Sequence, residues 1–150
     1  MRLSDFLAPT GVSLDLRATA KDDAIVEMVG LLGVDDRSQE RLVRLINQRE
    51  QSSSTAIGRG IAIPHCRSLA TTRLRLAFGR HLGGLDFAAP DHRLVQGLFL
   101  LVAPPNELSN QYLPVLAKIA QLAKEPDFLE RLQRLESVDA FFALLDQKGV

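Results

Sequence analysis

The side chains with the most chemistry to offer lie together between Arg49 and Arg67, in the stretch REQSSSTAIGRGIAIPHCR. An imidazole is a neutral nucleophile near pH 7, its reference pKa being about 6.5, and His65 supplies one. Ser52, Ser53, Ser54 and Thr55 add hydroxyl donors, and Arg49, Arg59 and Arg67 add positive charge. Gly58 and Gly60 let backbone amides approach a ligand closely, and successive amides in such a turn can form an anion-binding nest. Pro64 fixes the backbone just before the histidine. Together these residues would make an oxyanion or phosphate cradle beside an imidazole. The plainer alternative is a tight turn entering a core strand with His65 at its end. G-x-G alone is a weak signal, and here it lacks the strand–helix context of a dinucleotide fingerprint.

Other candidate groups are weaker. His81 and His92 flank GGLDFAAPD and are expected to be exposed loop histidines. Zinc sites usually show short paired spacings of Cys or His. None occurs, so no metal is expected. Cys66 adjoins His65, but neighbours on a strand point to opposite faces, which argues for a packed or partly exposed thiol over a reactive Cys–His pair. No G-x-S-x-G elbow supports a serine hydrolase. Asp22/Asp23 and Asp35/Asp36 fall at apparent helix starts, where the helix dipole favours acids.

The elements that must position these residues are readable in outline. Val12–Leu16 alternates like a short strand. Thr19 with Asp22 resembles a cap, and Ile25, Met28, Val29 and Leu32 follow at helical spacing before Gly33. Asp36 and Gln39 suggest a second cap, leading into Leu42, Leu45 and Ile46 and on towards Arg49. From Gln51 to His65 the pattern is a loop leading into a short strand. Leu74, Leu76 and Phe78 alternate, and VQGLFLLVA (Val95–Ala103) reads as a strand buried on both faces. Tyr112, Val115, Leu116, Ile119 and Leu122 share a helix face. Pro114 fits only in its first turn, which starts that helix near Ser109 or Asn110. Phe128, Leu132 and Leu135 mark another helix, and Ser137 caps a last one carrying Phe141, Leu144 and Leu145. Mixed strands and helices followed by a helical C-terminus imply an α/β sandwich. The pattern leaves open whether its sheet is parallel or mixed.

Composition removes several function classes. The 150 residues suit one domain, 1–150, with no linker or repeat dividing it. Hydrophobic residues at 46% and charged residues at 24% are ordinary for a soluble globular chain. Lys plus Arg equals Asp plus Glu at 18 each, which removes the electrostatic case for nucleic acid or an anionic membrane as partner. A single cysteine excludes an internal disulfide and favours a reducing compartment. MRLSDFLAPT lacks the apolar core of a secretory signal, and the apolar run at Leu98–Ala103 is too short to span a bilayer. The expectation is a soluble cytoplasmic protein with no membrane insertion.

GIAIPH, preceded at this spacing by R-E and S-T-x-I-G, resembles the active-site signature of type-2 enzyme IIA proteins of the phosphotransferase system, the mannitol/fructose/nitrogen-regulatory family. The resemblance extends through LFLLVAP, LPVLAKIAQLAKEPDFLERL and SVDAFFALL. In its stand-alone length the chain is most similar to the nitrogen-regulatory branch. The resemblance implies a mixed β-sheet flanked by α-helices in a single domain, and a phosphoryl group accepted on His65 from an HPr-like donor. It also implies nucleophilic transfer without metal, nucleotide or other cofactor. Arg49 would neutralise phosphate oxygens, and Thr55 and Ser54 would bond the phosphate or orient His65. The phosphoryl group would pass to regulatory targets or to a permease IIB domain. The alternatives are a sugar-specific IIA component and a regulatory module that is not phosphorylated. One position departs from the pattern. The family carries a second histidine in the first turn of the helix after the LFLLVAP-like strand, and Tyr112 falls there. A phenol donates a hydrogen bond but is no cation near neutral pH, so slower transfer is expected, though not its abolition. Tyr112 also lies on the apolar stripe and could simply be core.

Overall fold

The computed structural model describes residues 1–107 and 110–150. One strand organises it. VQGLFLLVA is apolar at consecutive positions, so it must be covered on both faces. It forms the central strand β6 (Val95–Ala103), with every residue but Gln96 buried. Leu98, Leu100 and Val102 enter one core layer, and Phe99, Leu101 and Ala103 enter the other, as the two-residue period of a strand requires.

On one side of β6 lies β5 (Arg75–Leu85), antiparallel, with Phe78 opposite Phe99. The far edge of β5 carries β1 (Val12–Ser13) in parallel. On the other side of β6, β3 (Ile61–Ala62) and then β4 (His65–Arg67) run parallel to it, and β2 (Ala56–Gly58) closes antiparallel on β3. The order among the described residues is β1-β5-β6-β3-β2, with β4 beside β6. The sheet is therefore mixed, as the family resemblance implies. β1 is shorter than the expected Val12–Leu16, because the Asp15 amide turns back to the Ser13 hydroxyl (3.3 Å) and leaves the ladder.

Helices α1 (Lys21–Gly30) and α2 (Asp36–Ser52) cover one face through Ile25, Met28, Leu42 and Ile46. Helices α3 (Tyr112–Ala123), α4 (Phe128–Gln133) and α5 (Val138–Gln147) cover the other through Val115, Ile119, Phe128 and Phe141. Phe141 stacks on Phe78 with ring centroids 4.3 Å apart, a geometry that contributes about 0.5–1.5 kcal/mol beyond buried area. Arg80, buried on β5, donates to the carbonyls of Leu14 (3.0 Å), Leu132 (3.0 Å) and Leu135 (2.6 Å). It ties the chain after β1 to the end of α4.

The helix ends show where local signals held. The Ser137 hydroxyl caps α5 by accepting from the Ala140 amide at 3.1 Å. The cap of α2 lies one residue earlier than expected. Asp35 accepts from the Ser38 amide at 2.8 Å, and the Gln39 side chain instead donates to the Val34 carbonyl. Thr19 caps nothing, since α1 begins after Ala20 without a side-chain cap. Of the two expected starts for α3, Ser109 lies outside the described residues. Asn110 precedes the helix at φ 57°, and α3 begins at Tyr112 with Pro114 in its first turn.

Candidate functional site

His65 is placed by a broken strand. β3 and β4 pair with successive stretches of β6, and Pro64 separates them while its carbonyl accepts from the Leu101 amide (3.0 Å). His65 and Arg67 then share one face of β4, and Cys66 takes the other. Cys66 packs on the α1–α2 side, where burial pushes its thiol up to about 11. It is a protonated, packed thiol and no nucleophile. His65 is half-buried, and its Nδ1 lies 2.7 Å from the Ile63 carbonyl. A carbonyl only accepts, so Nδ1 carries a proton, and in the neutral imidazole the lone pair is on Nε2.

The histidine opens on a shallow depression of about 400 Å³, walled among others by Arg49, Thr55, Ile57, Leu116 and Ala120. Arg49, in the last turn of α2, donates through Nη1 to the carbonyl (3.0 Å) and hydroxyl (3.1 Å) of Ser53. Among the described residues no carboxylate pairs with it. Ser54 and Thr55 are at the depression as the sequence predicts, but both hydroxyls are already engaged. Ser54 Oγ donates to the Phe87 carbonyl and accepts from the Ala56 amide. Thr55 Oγ1 donates to Glu50, whose other oxygen accepts from the Thr55 amide at 3.1 Å. Both side chains therefore hold the wall in shape, and Arg49 is the one cation that lines the depression.

Glu50 is the residue sequence reasoning missed. It is buried, and Lys21 from α1 reaches it at 2.7 Å. An acid in the last turn of a helix opposes the dipole; here Lys21 and the Thr55 donors offset that cost. The signal was present: positions 42, 46 and 50 are four apart, so Glu50 falls on the core stripe of Leu42 and Ile46.

The glycine turn does not serve the depression. Gly58, Arg59 and Gly60 all have positive φ (89°, 56° and 80°) and form the tip of the β2–β3 hairpin. The amides do bind an anion, but the anion is Asp91, which accepts from the Arg59 amide at 2.8 Å and from the Arg93 amide at 3.1 Å. These two amides, that of Arg59 foremost, hold the Asp91 carboxyl below the usual carboxylate range. The Arg59 guanidinium donates to the Lys124 carbonyl. This part of the expected cradle is filled from within.

The family model of the phosphoenolpyruvate-dependent sugar phosphotransferase system, EIIA 2, matches residues 5–148. The chain belongs to this family. It is 30% identical over 146 residues to a nitrogen regulatory protein of Bradyrhizobium diazoefficiens, covering 97% of this chain and 95% of that protein. It is 29% identical over 149 residues to the fructose-specific EIIABC component of Bacillus subtilis, but spans only 23% of that longer protein. Among solved structures, the nitrogen regulatory protein IIA-Ntr of Neisseria meningitidis superposes with a TM-score of 0.86 at 28% identity, covering 95% of this chain and 98% of that one. Escherichia coli IIA mannitol shares the fold at a TM-score of 0.75 and 21% identity, covering 92% and 97%. The protein is a phosphotransferase-system component whose relatives include both nitrogen regulatory proteins and fructose-specific components. No helix among the described residues is long and apolar enough to cross a membrane.

At the position where the resemblance implies a second histidine, this EIIA chain places Tyr112 against the site. Its ring is 7% exposed, with its centroid 6.3 Å from that of His65 at 66°. Tyr112 is thus a core residue whose ring also meets His65. Burial pushes its phenol up to about 12, so it stays a neutral donor at any physiological pH. Arg67 lies over the Tyr112 ring, with Cζ 4.2 Å from the centroid. His81 departs from the expected exposed loop. It lies in β5, half-buried, with Nε2 donating to the Ala18 carbonyl at 2.7 Å. A larger cavity of about 630 Å³ between the N-terminal segment and the start of β5 contains none of the sequence-predicted site residues.

Proposed function

We propose that residues 1–150 form one EIIA domain that carries a phosphoryl group on Nε2 of His65, received in the cytoplasm from an HPr-like donor, and acts mainly in regulation. The observation that carries this reading is the Nδ1–Ile63 carbonyl bond. It favours the tautomer whose free nitrogen is Nε2, at a depression where no carboxylate among the described residues pairs with Arg49. The Nε2 lone pair bonds phosphorus as the donor's N–P bond breaks, and that electron pair returns to the donor imidazole. His65 keeps its Nδ1 proton on Ile63 throughout. Catalysis then rests on in-line positioning and on charge placed where the phosphoryl oxygens arrive, with no metal or nucleotide taking part.

The surroundings suit protein docking. Helix α3 has a second apolar stripe, Leu113, Leu116, Ala117 and Ala120, at i, i+3, i+4 and i+7 spacing. Leu113 is 70% exposed and Ile57, across the depression, 41%. Both the donor and an acceptor would use this rim in turn. The near-complete match to nitrogen regulatory proteins supports a regulatory acceptor. The fructose-specific relative supports a second reading, transfer to a permease IIB domain. The test is incubation with phosphoenolpyruvate, enzyme I and an HPr-type donor, followed by mass spectrometry. A gain of one acid-labile phosphoryl group, absent from His65→Ala, is expected. Label that survives in His65→Ala places the acceptor elsewhere, and no label leaves a binding module. Adding a IIB domain separates the two acceptor readings by whether the label moves.

A further inference from the structure

The geometry at β4 raises the question of which residue supplies the charge that a second histidine would bring. Tyr112 cannot, since its phenol stays neutral. Arg67 is two residues from His65 on β4, so both side chains rise from the same face of the strand. Its guanidinium lies on the Tyr112 ring, which stands edge-on to the His65 ring. Arg67 is exposed, and its one hydrogen bond among the described residues is a 3.3 Å contact from Nη1 to the Pro104 carbonyl. No carboxylate pairs with it there either. An unpaired, forked cation beside a phosphoryl acceptor has the donor geometry that phosphate oxygens take. An aromatic face holds such a group in place while leaving its N–H edge free. The charges of Arg67 and Arg49 both act on the Tyr112 hydroxyl, against its burial, so both cations are within electrostatic reach of the ring that borders His65.

Resting on the phosphocarrier reading, we infer that Arg67 is a catalytic phosphoryl-binding residue, held on the face of Tyr112 two residues along β4 from His65, and that this pair replaces the second histidine of the family. Arg67 binds the equatorial oxygens as phosphorus moves from the donor nitrogen to Nε2. Tyr112 is a positioning residue that acts through Arg67. Unlike an imidazole, this device keeps its charge at every physiological pH.

The test times His65 phosphorylation from the HPr-type donor, alongside thermal midpoints to confirm folding. Arg67→Gln is expected to slow transfer about tenfold, below the ~10²-fold cost of losing a sequestered oxyanion donor because Arg67 is itself exposed to water and salt. Arg67→Lys should recover part of the loss. In Tyr112→Leu, adding Arg67→Gln should cost about twofold or less, because a platform and its passenger act as one unit. In Tyr112→His/Arg67→Gln, the rate should recover below about pH 6.5 and fall above it, as an imidazolium takes over and then loses its proton. Wild-type rate in a folded Arg67→Gln overturns the inference and leaves the phosphocarrier reading standing. Fully additive losses in the Leu variant overturn the platform role. No label on the wild-type protein overturns the phosphocarrier reading and this inference with it.

Discussion

The turn at Gly58–Gly60 and the depression at His65 are built from similar parts, yet only one has room for an outside anion. Each has an arginine, short loop residues and a nearby carboxylate. At the turn, Asp91 sits on the Arg59 amide and the Arg59 guanidinium is spent on the Lys124 carbonyl. At the depression, the carboxylate is Glu50, but it faces inward, bound to Lys21 and Thr55. Arg49 spends one nitrogen on Ser53 and meets no carboxylate among the described residues. An array of donors is an anion site only if the fold does not supply the anion itself. The two regions should therefore fail differently when mutated, one in chemistry and the other in stability.

The largest separation is expected between the two arginines. Arg49→Gln should slow phosphotransfer by about 10²–10³-fold, the cost of losing one charged donor at a developing oxyanion. Arg59→Gln should leave the rate within about twofold, since no donor to the phosphoryl group is lost. Steady-state labelling with a limiting donor reads both; equal losses would erase the distinction between the regions. Next comes Glu50→Ala. It strands Lys21 and two Thr55 donors, and should lower stability by about 2–3 kcal/mol, near the low end for breaking a buried pair because Lys21 keeps part of its hydration. That corresponds to a fall of about 5–10 °C in Tm for a chain of this size, and calorimetry would detect it.

A smaller effect belongs to the turn. Gly60 has φ 80°, and an added Cβ would lie 2.7 Å from Leu129 Cδ2. Gly60→Ala should cost about 1–2 kcal/mol of folding stability with transfer chemistry intact in the folded fraction. Denaturant titration measures it, and an unchanged midpoint would mean the turn relaxes freely. The smallest effect is in acid. The Asp91 carboxyl is held below its ordinary value of 3.8 by the Arg59 and Arg93 amides. Its folded pKa is depressed, so its contribution is present above about 3.8 and is lost as pH falls through the lower folded value. Asp91→Asn should flatten that part of the Tm–pH curve below about pH 4 and leave phosphotransfer unchanged. An identical acid limb in wild type and variant would deny the nest its anion.

What the sequence made legible was what depends on near neighbours. β6 could be delimited because nine consecutive residues, mostly apolar, admit one reading, and the Ser137 cap because its acceptor–donor pair spans three residues. The Asp35 cap was misplaced by one, because adjacent aspartates are equivalent candidates until the backbone chooses. The site was legible as a list of residues but not as an allocation of hydrogen bonds. Asp91 is 32 positions from the amide it fills, and Phe87 is 33 from the Ser54 hydroxyl it engages; no local pattern reports such pairs. Glu50 was legible in principle, as an acid on an apolar stripe. Tyr112 was offered as core or as site; its ring packs in the core and also meets His65 and Arg67 of β4, a pairing no local pattern reports.

The most direct measurement locates the phosphorus on the imidazole. The protein, labelled with 15N at histidine, is phosphorylated by the donor system and observed by 15N and 31P NMR. A phosphoryl group on Nε2 of His65, with the Nδ1 proton retained on the Ile63 carbonyl, is the expected result. A phosphoryl group on Nδ1, or on any residue other than His65, would contradict it.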